Sequence, residues 1–146
     1  METAGLLVGM LAASVIDIRK RKIPLYLMIG LMVFAIITHF IYERLSITEM
    51  IFGAGMGIVL IGVAIVSREK IGIGDGIIFV VVGLFMGFFG SMIILWYSSI
   101  IAALAGLILC IIRKFDHEKL KDVTLPFAPC VLAGIIIYVL INGGHI

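Results

Sequence analysis

The chain has 146 residues, of which 63% are hydrophobic and 14% charged, and its formal net charge is +2. That is more apolar surface than a water-soluble domain of this length can bury, so the composition excludes an ordinary soluble protein and points to a membrane. No basic patch interleaved with aromatics is present, which excludes the usual signature of nucleic-acid binding.

Six apolar runs follow one another at 3–18, 25–42, 50–66, 77–89, 92–112 and 129–141. They predict an all-α polytopic membrane protein with six transmembrane helices. The connecting segments are too short to fold alone, so residues 1–146 are expected to form one bundle without a separate soluble domain. If the first run crosses with its N-terminus outside, the inner segments hold Arg19, Lys20, Arg21, Lys22, Arg68, Lys70, Arg113, Lys114, Lys119 and Lys121. These are ten of the eleven basic residues, and only Arg44 falls outside. The positive-inside rule therefore places both termini outside the cell. Glu2 precedes the first run and its basic cluster follows, the reverse of a secretory signal, so this run is expected to stay as a helix.

Nine acids remain to be placed. Glu2, Glu43 and Glu49 fall outside, while Glu69, Asp116, Glu118 and Asp122 sit among basic residues of the inner loops, where solvated loop charge explains them. Asp17 and Asp75 differ, because each adjoins an apolar run on the inner side. A spanning helix needs roughly 20 residues, which puts Asp17 inside the first helix, near one turn from its inner end. There it faces the negative end of the helix dipole, so capping explains it poorly. An ion pair with the basic cluster at 19–22 is its bland explanation, and a functional intramembrane acid the sharper one. Asp75, in IGIGDGIIF, reads by itself as the N-cap of the fourth helix.

The two acids share one membrane face and one depth, at the ends of the first and fourth runs, so a bundle can bring them together. Peptide hydrolysis uses such a pair. One ionised carboxylate takes a proton from water while its protonated partner donates to the carbonyl oxygen, and the two titrate as a unit. Gly72, Gly74 and Gly76 strip side chains from around Asp75, which would let a second backbone approach. Gly83 and Gly87 have the GxxxG spacing of helix packing, and Gly53, Gly55, Gly57 and Gly62 fit the same pattern. Two acids alone are a sparse set for a metal, so no metal or cofactor is expected. His39, His117 and His145 fall on different sides or ends. Cys110 and Cys130 have neither CxxC spacing nor nearby histidines and are expected to pack as small hydrophobes.

Taken in order, Asp17, Ile23-Pro24, Gly72-Ile73-Gly74-Asp75 and Leu125-Pro126-Phe127-Ala128-Pro129 leading to Ala133-Gly134 give the chain its likeness to known proteins. It resembles the type IV prepilin peptidases, within the GxGD group of intramembrane aspartic proteases, with archaeal preflagellin peptidases as relatives. The resemblance implies that Asp17 and Asp75 are catalytic and that Gly72, Gly74, Gly76, Pro24, Pro126, Phe127 and Pro129 support the site. It implies removal of the basic leader from prepilin-like precursors at the cytoplasmic face of the cell membrane, with no cofactor. Three positions depart from the family's habit: Leu25 for Asn, Ile77 for Lys and Ala128 for Gly. The inserted CxxC domain associated with N-methylation is not found here, so cleavage without methylation is expected. From other classes, a small proton-coupled transporter using Asp17 and Asp75 as a relay is the main rival. A noncatalytic assembly protein of a secretion or pilus system is a weaker one.

Overall fold

The computed structural model describes residues 2–20, 25–42, 46–67, 72–115 and 127–142. They form five helices, α1 (Glu2–Lys20), α2 (Leu25–Tyr42), α3 (Ile47–Val66), α4 (Ile73–Phe115) and α5 (Ala128–Ile141). The fold is all-α, and α3 and α4 each contain a stretch long and apolar enough to cross a membrane.

Six spans are not shown, and the fourth and fifth apolar runs lie on the two arms of α4, which meet at a kink. Only Gly90 and Ser91 separate those runs, with no proline to stop helical hydrogen bonding. The interruption falls instead at Gly87, with φ 67° and ψ −172°, a backbone region essentially closed to residues with a Cβ. Before Gly87, Phe79 lies against Phe127 at the start of α5. Beyond it, Gly90 lies against Tyr138 and Ser98 against Gly134. Contacts along α5 thus climb and then descend, so α4 turns back at Gly87.

The arm of α4 before Gly87 is the centre of the molecule. Ile78, Phe79, Val81, Val82, Phe85 and Met86 are all buried there, around every side of the helix, as expected of an element surrounded by others. Leu6, Met10 and Ala13 of α1 pack into the same core, with Met28, Leu31 and Ala35 of α2 and Ala128, Val131 and Ile135 of α5. On α1 the spacing of four then three residues marks a single helical face. Asp17 is the next residue on that face.

Helix α3 runs antiparallel to this central arm at very short range. Gly53 meets Gly83, Gly57 meets Phe79 and Val80, and Gly76 meets Ile61; a Cβ at any of the four glycines would strike backbone of the other helix. Small residues are what allow two backbones to approach so closely. The packing expected of the glycines therefore holds for Gly53, Gly57 and Gly83, while Gly55 and Gly62 face open space and Gly87 breaks the helix. On its other side α3 exposes Ile58, Val59, Ile65 and Val66, an apolar surface suited to lipid.

Candidate active site

Asp17 sits in the last turn of α1 and is only 7% exposed. It is buried because it continues the inward face of Leu6, Met10 and Ala13. A buried carboxylate needs hydrogen-bond donors, and Oδ2 of Asp17 accepts the backbone N–H of Ala128 at 3.3 Å. That donor exists because a helix N-terminus leaves its first amides without intrahelical acceptors. In α5, Pro129 has no N–H, and the Cys130 and Val131 amides donate to the Phe127 carbonyl at 2.9 and 3.1 Å. Phe127, in the N-cap position, offers no side-chain cap. Asp17 therefore caps α5 from another helix. The positive end of the α5 dipole also faces the carboxylate, offsetting the unfavourable end of α1.

Asp75 is the third residue of α4, which begins at Ile73, four residues ahead of the apolar run that marks it in the sequence. It is thus not the N-cap. Its N–H donates to the Gly72 carbonyl at 3.0 Å, and its carboxylate folds back toward Gly72. An acid at the third position that reaches back to the start of its helix is one half of a capping box; glycine at 72 has no side chain to supply the other half. A Cβ on Gly72 would lie 3.3 Å from Oδ2 of Asp75. Glycine at 72 makes room for the carboxylate to fold back.

The two carboxylates lie at the same end of the bundle, close enough for the charge of Asp17 to act on Asp75. The charge of Asp75 in turn reaches Cys130 in the first turn of α5. Phe127 packs its ring against Phe79, with centroids 6.3 Å apart and planes at 48°. Phe79 lies one turn after Asp75, on the same face of α4. Two adjacent residues at the start of α5 therefore touch both acid-bearing helices, Phe127 reaching α4 and Ala128 reaching Asp17.

Other residues expected at the site divide. Gly72 borders Asp75, and Gly74 is half-buried in the same turn. Gly76 belongs to the α3 contact, so its bare Cα is occupied by a neighbouring helix and not left open beside the acid. Pro129 is the second residue of α5, where its fixed φ suits a helix start. Pro24 and Pro126 lie outside the described residues. Ala128, in place of the family's glycine, is buried inside the first turn of α5, where an L residue fits without strain. Cys130 is buried as expected, but Cys110 is exposed. Among the described residues no group of three or more His, Cys, Asp and Glu side chains gathers in one place.

The amide of Ala128 and the pairing of Phe127 with Phe79 are the features that sequence reasoning did not find. The signal for the first was Pro129, which marks a helix start and hence free amides.

No curated protein and no solved structure matches the chain significantly. The sequence model of the type IV leader peptidase family matches residues 4–107, a span that contains both Asp17 and Asp75 and ends before α5. The match covers well over half of the chain, which therefore belongs to the type IV leader peptidase family.

Proposed function

We propose that the protein is an intramembrane aspartic endopeptidase that removes the basic leader from type IV prepilin-like precursors at the cytoplasmic membrane face, with Asp17 and Asp75 as its catalytic pair. The observation that supports this reading is the convergence of α1, α4 and α5 at one end of the bundle, where the Ala128 amide meets Asp17 and Phe127 packs on Phe79, one turn after Asp75. Membership of a family of aspartic peptidases supports the same activity class. In the reaction one carboxylate accepts a proton from water as it attacks the scissile carbonyl. The other donates a proton to the carbonyl oxygen, and a single shared proton serves both roles.

The membrane arrangement follows from charge. Arg19 to Lys22 adjoin the Asp17 end of α1, and ten of the eleven basic residues fall on that side if the chain crosses six times. The positive-inside rule then puts the acids at the cytoplasmic surface and both termini outside. A basic leader would lie in the cytoplasm with the scissile bond at the interface, beside the acids. We also propose that the reaction stops at cleavage, since four residues join α1 to α2 and no CxxC pair occurs in the sequence.

Co-expression with candidate pilin-like precursors tests the reading. Wild type is expected to shorten the precursor, and Asp17→Asn and Asp75→Asn to leave it full length. Unaltered processing by either variant rejects the catalytic pair. Proton or solute flux in liposomes that is lost in the same variants would favour the transporter.

A further inference from the structure

Four serine and threonine residues are buried in the helices, Ser14, Thr38, Ser91 and Ser98, and three of them bond to their own helix, as the half-exposed Ser67 also does. Thr38 donates to the Phe34 and Ala35 carbonyls, Ser67 to Val63, Ser91 to Phe88 and Ser98 to Ile94. Each hydroxyl turns onto its own helix, the usual recourse of serine and threonine where water is excluded.

Ser14 is the exception. It is only 4% exposed, yet it makes no hydrogen bond among the described residues. Buried hydroxyls without a partner are rare, and each calls for an explanation such as a water or a functional contact. Ser14 precedes Asp17 by three residues, so both lie on one face of α1 with Cβ atoms about 5–6 Å apart. Asp17, 7% exposed, has its Oδ2 occupied by the Ala128 amide, while its Oδ1 accepts no hydrogen bond among the described residues. A hydroxyl and a carboxylate oxygen without a hydrogen-bond partner among the described residues therefore stand one turn apart on α1. A separation of that size suits one bridging water, and buried waters typically join such groups with about three hydrogen bonds.

We propose that Ser14 is a positioning residue of the dyad, its hydroxyl and Oδ1 of Asp17 together holding a water molecule at the carboxylate pair. This rests on the reading of Asp17 and Asp75 as the catalytic acids and adds a third residue to it. Ser14 accepts or donates one hydrogen bond to the water, and Asp17 accepts another. The water is thereby fixed beside the acid that is to activate it or exchange with it. The face that carries Asp17 into the interior also sets Ser14 one turn farther from the end of α1, and the burial of both side chains screens the water from lipid.

The test compares purified wild type with Ser14→Ala and Ser14→Thr on a precursor that wild type cleaves. Asp17→Asn and Asp75→Asn are run alongside. Ser14→Ala is expected to lower kcat about tenfold or more with KM unchanged, because the loss is of a group that orients the reaction and not of substrate binding. Ser14→Thr, which keeps the hydroxyl, is expected to restore most of the rate. Thermal stability of Ser14→Ala is expected to stay close to that of wild type, since the variant loses one water-mediated hydrogen bond together with the buried hydroxyl that makes it. A rate within about twofold of wild type for Ser14→Ala overturns the proposal. So does a loss confined to KM, one accompanied by a lower melting temperature, or one that Ser14→Thr fails to restore. If the two Asn variants stay active, the protease reading itself fails; if they are dead and Ser14→Ala is not impaired, only the role of Ser14 fails.

Discussion

Asp17 and Ala128 stand 111 positions apart, and the carboxylate of one accepts the amide hydrogen of the other at 3.3 Å. The first turn of α5 thus takes its cap from the last turn of α1. Since Pro129 has no N–H and Phe127 has no capping side chain, no local group does this job. Asp17 accordingly holds α5 in place, and substitutions can separate this from the catalytic role proposed for it with Asp75.

Asp17→Asn keeps a side-chain oxygen for the Ala128 amide, whereas Asp17→Ala removes it. The alanine variant is expected to lose about 1–2 kcal/mol of stability, the usual effect of deleting a helix cap. The asparagine variant should stay close to wild type in stability. Thermal unfolding in detergent measures both, and equal melting temperatures for the two variants would contradict the capping role.

The pairing of Phe127 with Phe79 ties α5 to the helix that carries Asp75. A double-mutant cycle with Phe127→Leu and Phe79→Leu is expected to return a coupling energy of about 0.5–1.5 kcal/mol, the range for tilted aromatic pairs. Phe127→Leu should also lower precursor cleavage, because the start of α5 braces both acids. Coupling indistinguishable from zero would show that the two rings act independently.

Much of this arrangement is legible in the sequence. The depth of Asp17 follows from counting residues along a membrane helix, and α5 begins one residue ahead of the run that marks it. The inward direction of Asp17 is legible too, in the spacing of positions 6, 10, 13 and 17. The start of α4 is not. Glycine disfavours a helix by about 1 kcal/mol relative to alanine, so propensity argues against a helix through Gly74 and Gly76. Tertiary packing reverses that outcome, since Gly76 lets α3 come close. The turn at Gly87 is hidden for a related reason, because a GxxxG spacing signals packing equally well. The bond from Ala128 to Asp17 joins the two ends of the chain, and no local pattern announces it.

The glycines sort into two classes with opposite expected effects. Gly57→Ala and Gly83→Ala place a Cβ against the backbone of the facing helix and should destabilise the protein by about 1–3 kcal/mol, the range for overpacking. Gly55→Ala and Gly62→Ala point into open space and should stabilise α3 by up to about 1 kcal/mol each through helix propensity. Melting temperatures of the four variants give the comparison. Parallel shifts across both classes would contradict the close contact of α3 with α4.

Gly87 poses a backbone question and not a packing one. Its φ of 67° with ψ of −172° is strained for any L residue, so Gly87→Ala is expected to lose about 1–3 kcal/mol. Gly106→Ala, in open space on the same helix, serves as the control and should be neutral or slightly stabilising. A tolerated alanine at 87 would mean that α4 does not turn back there.

Rates of leader removal by purified wild type, Asp17→Asn, Asp75→Asn and the double variant bear most directly on whether the two carboxylates work as one site. Groups that act as a unit are strongly non-additive, so each single variant is expected to lose about 10³-fold or more and the double variant no more than either. A single variant retaining more than about a tenth of the wild-type rate, or losses that multiply in the double variant, would contradict a shared site.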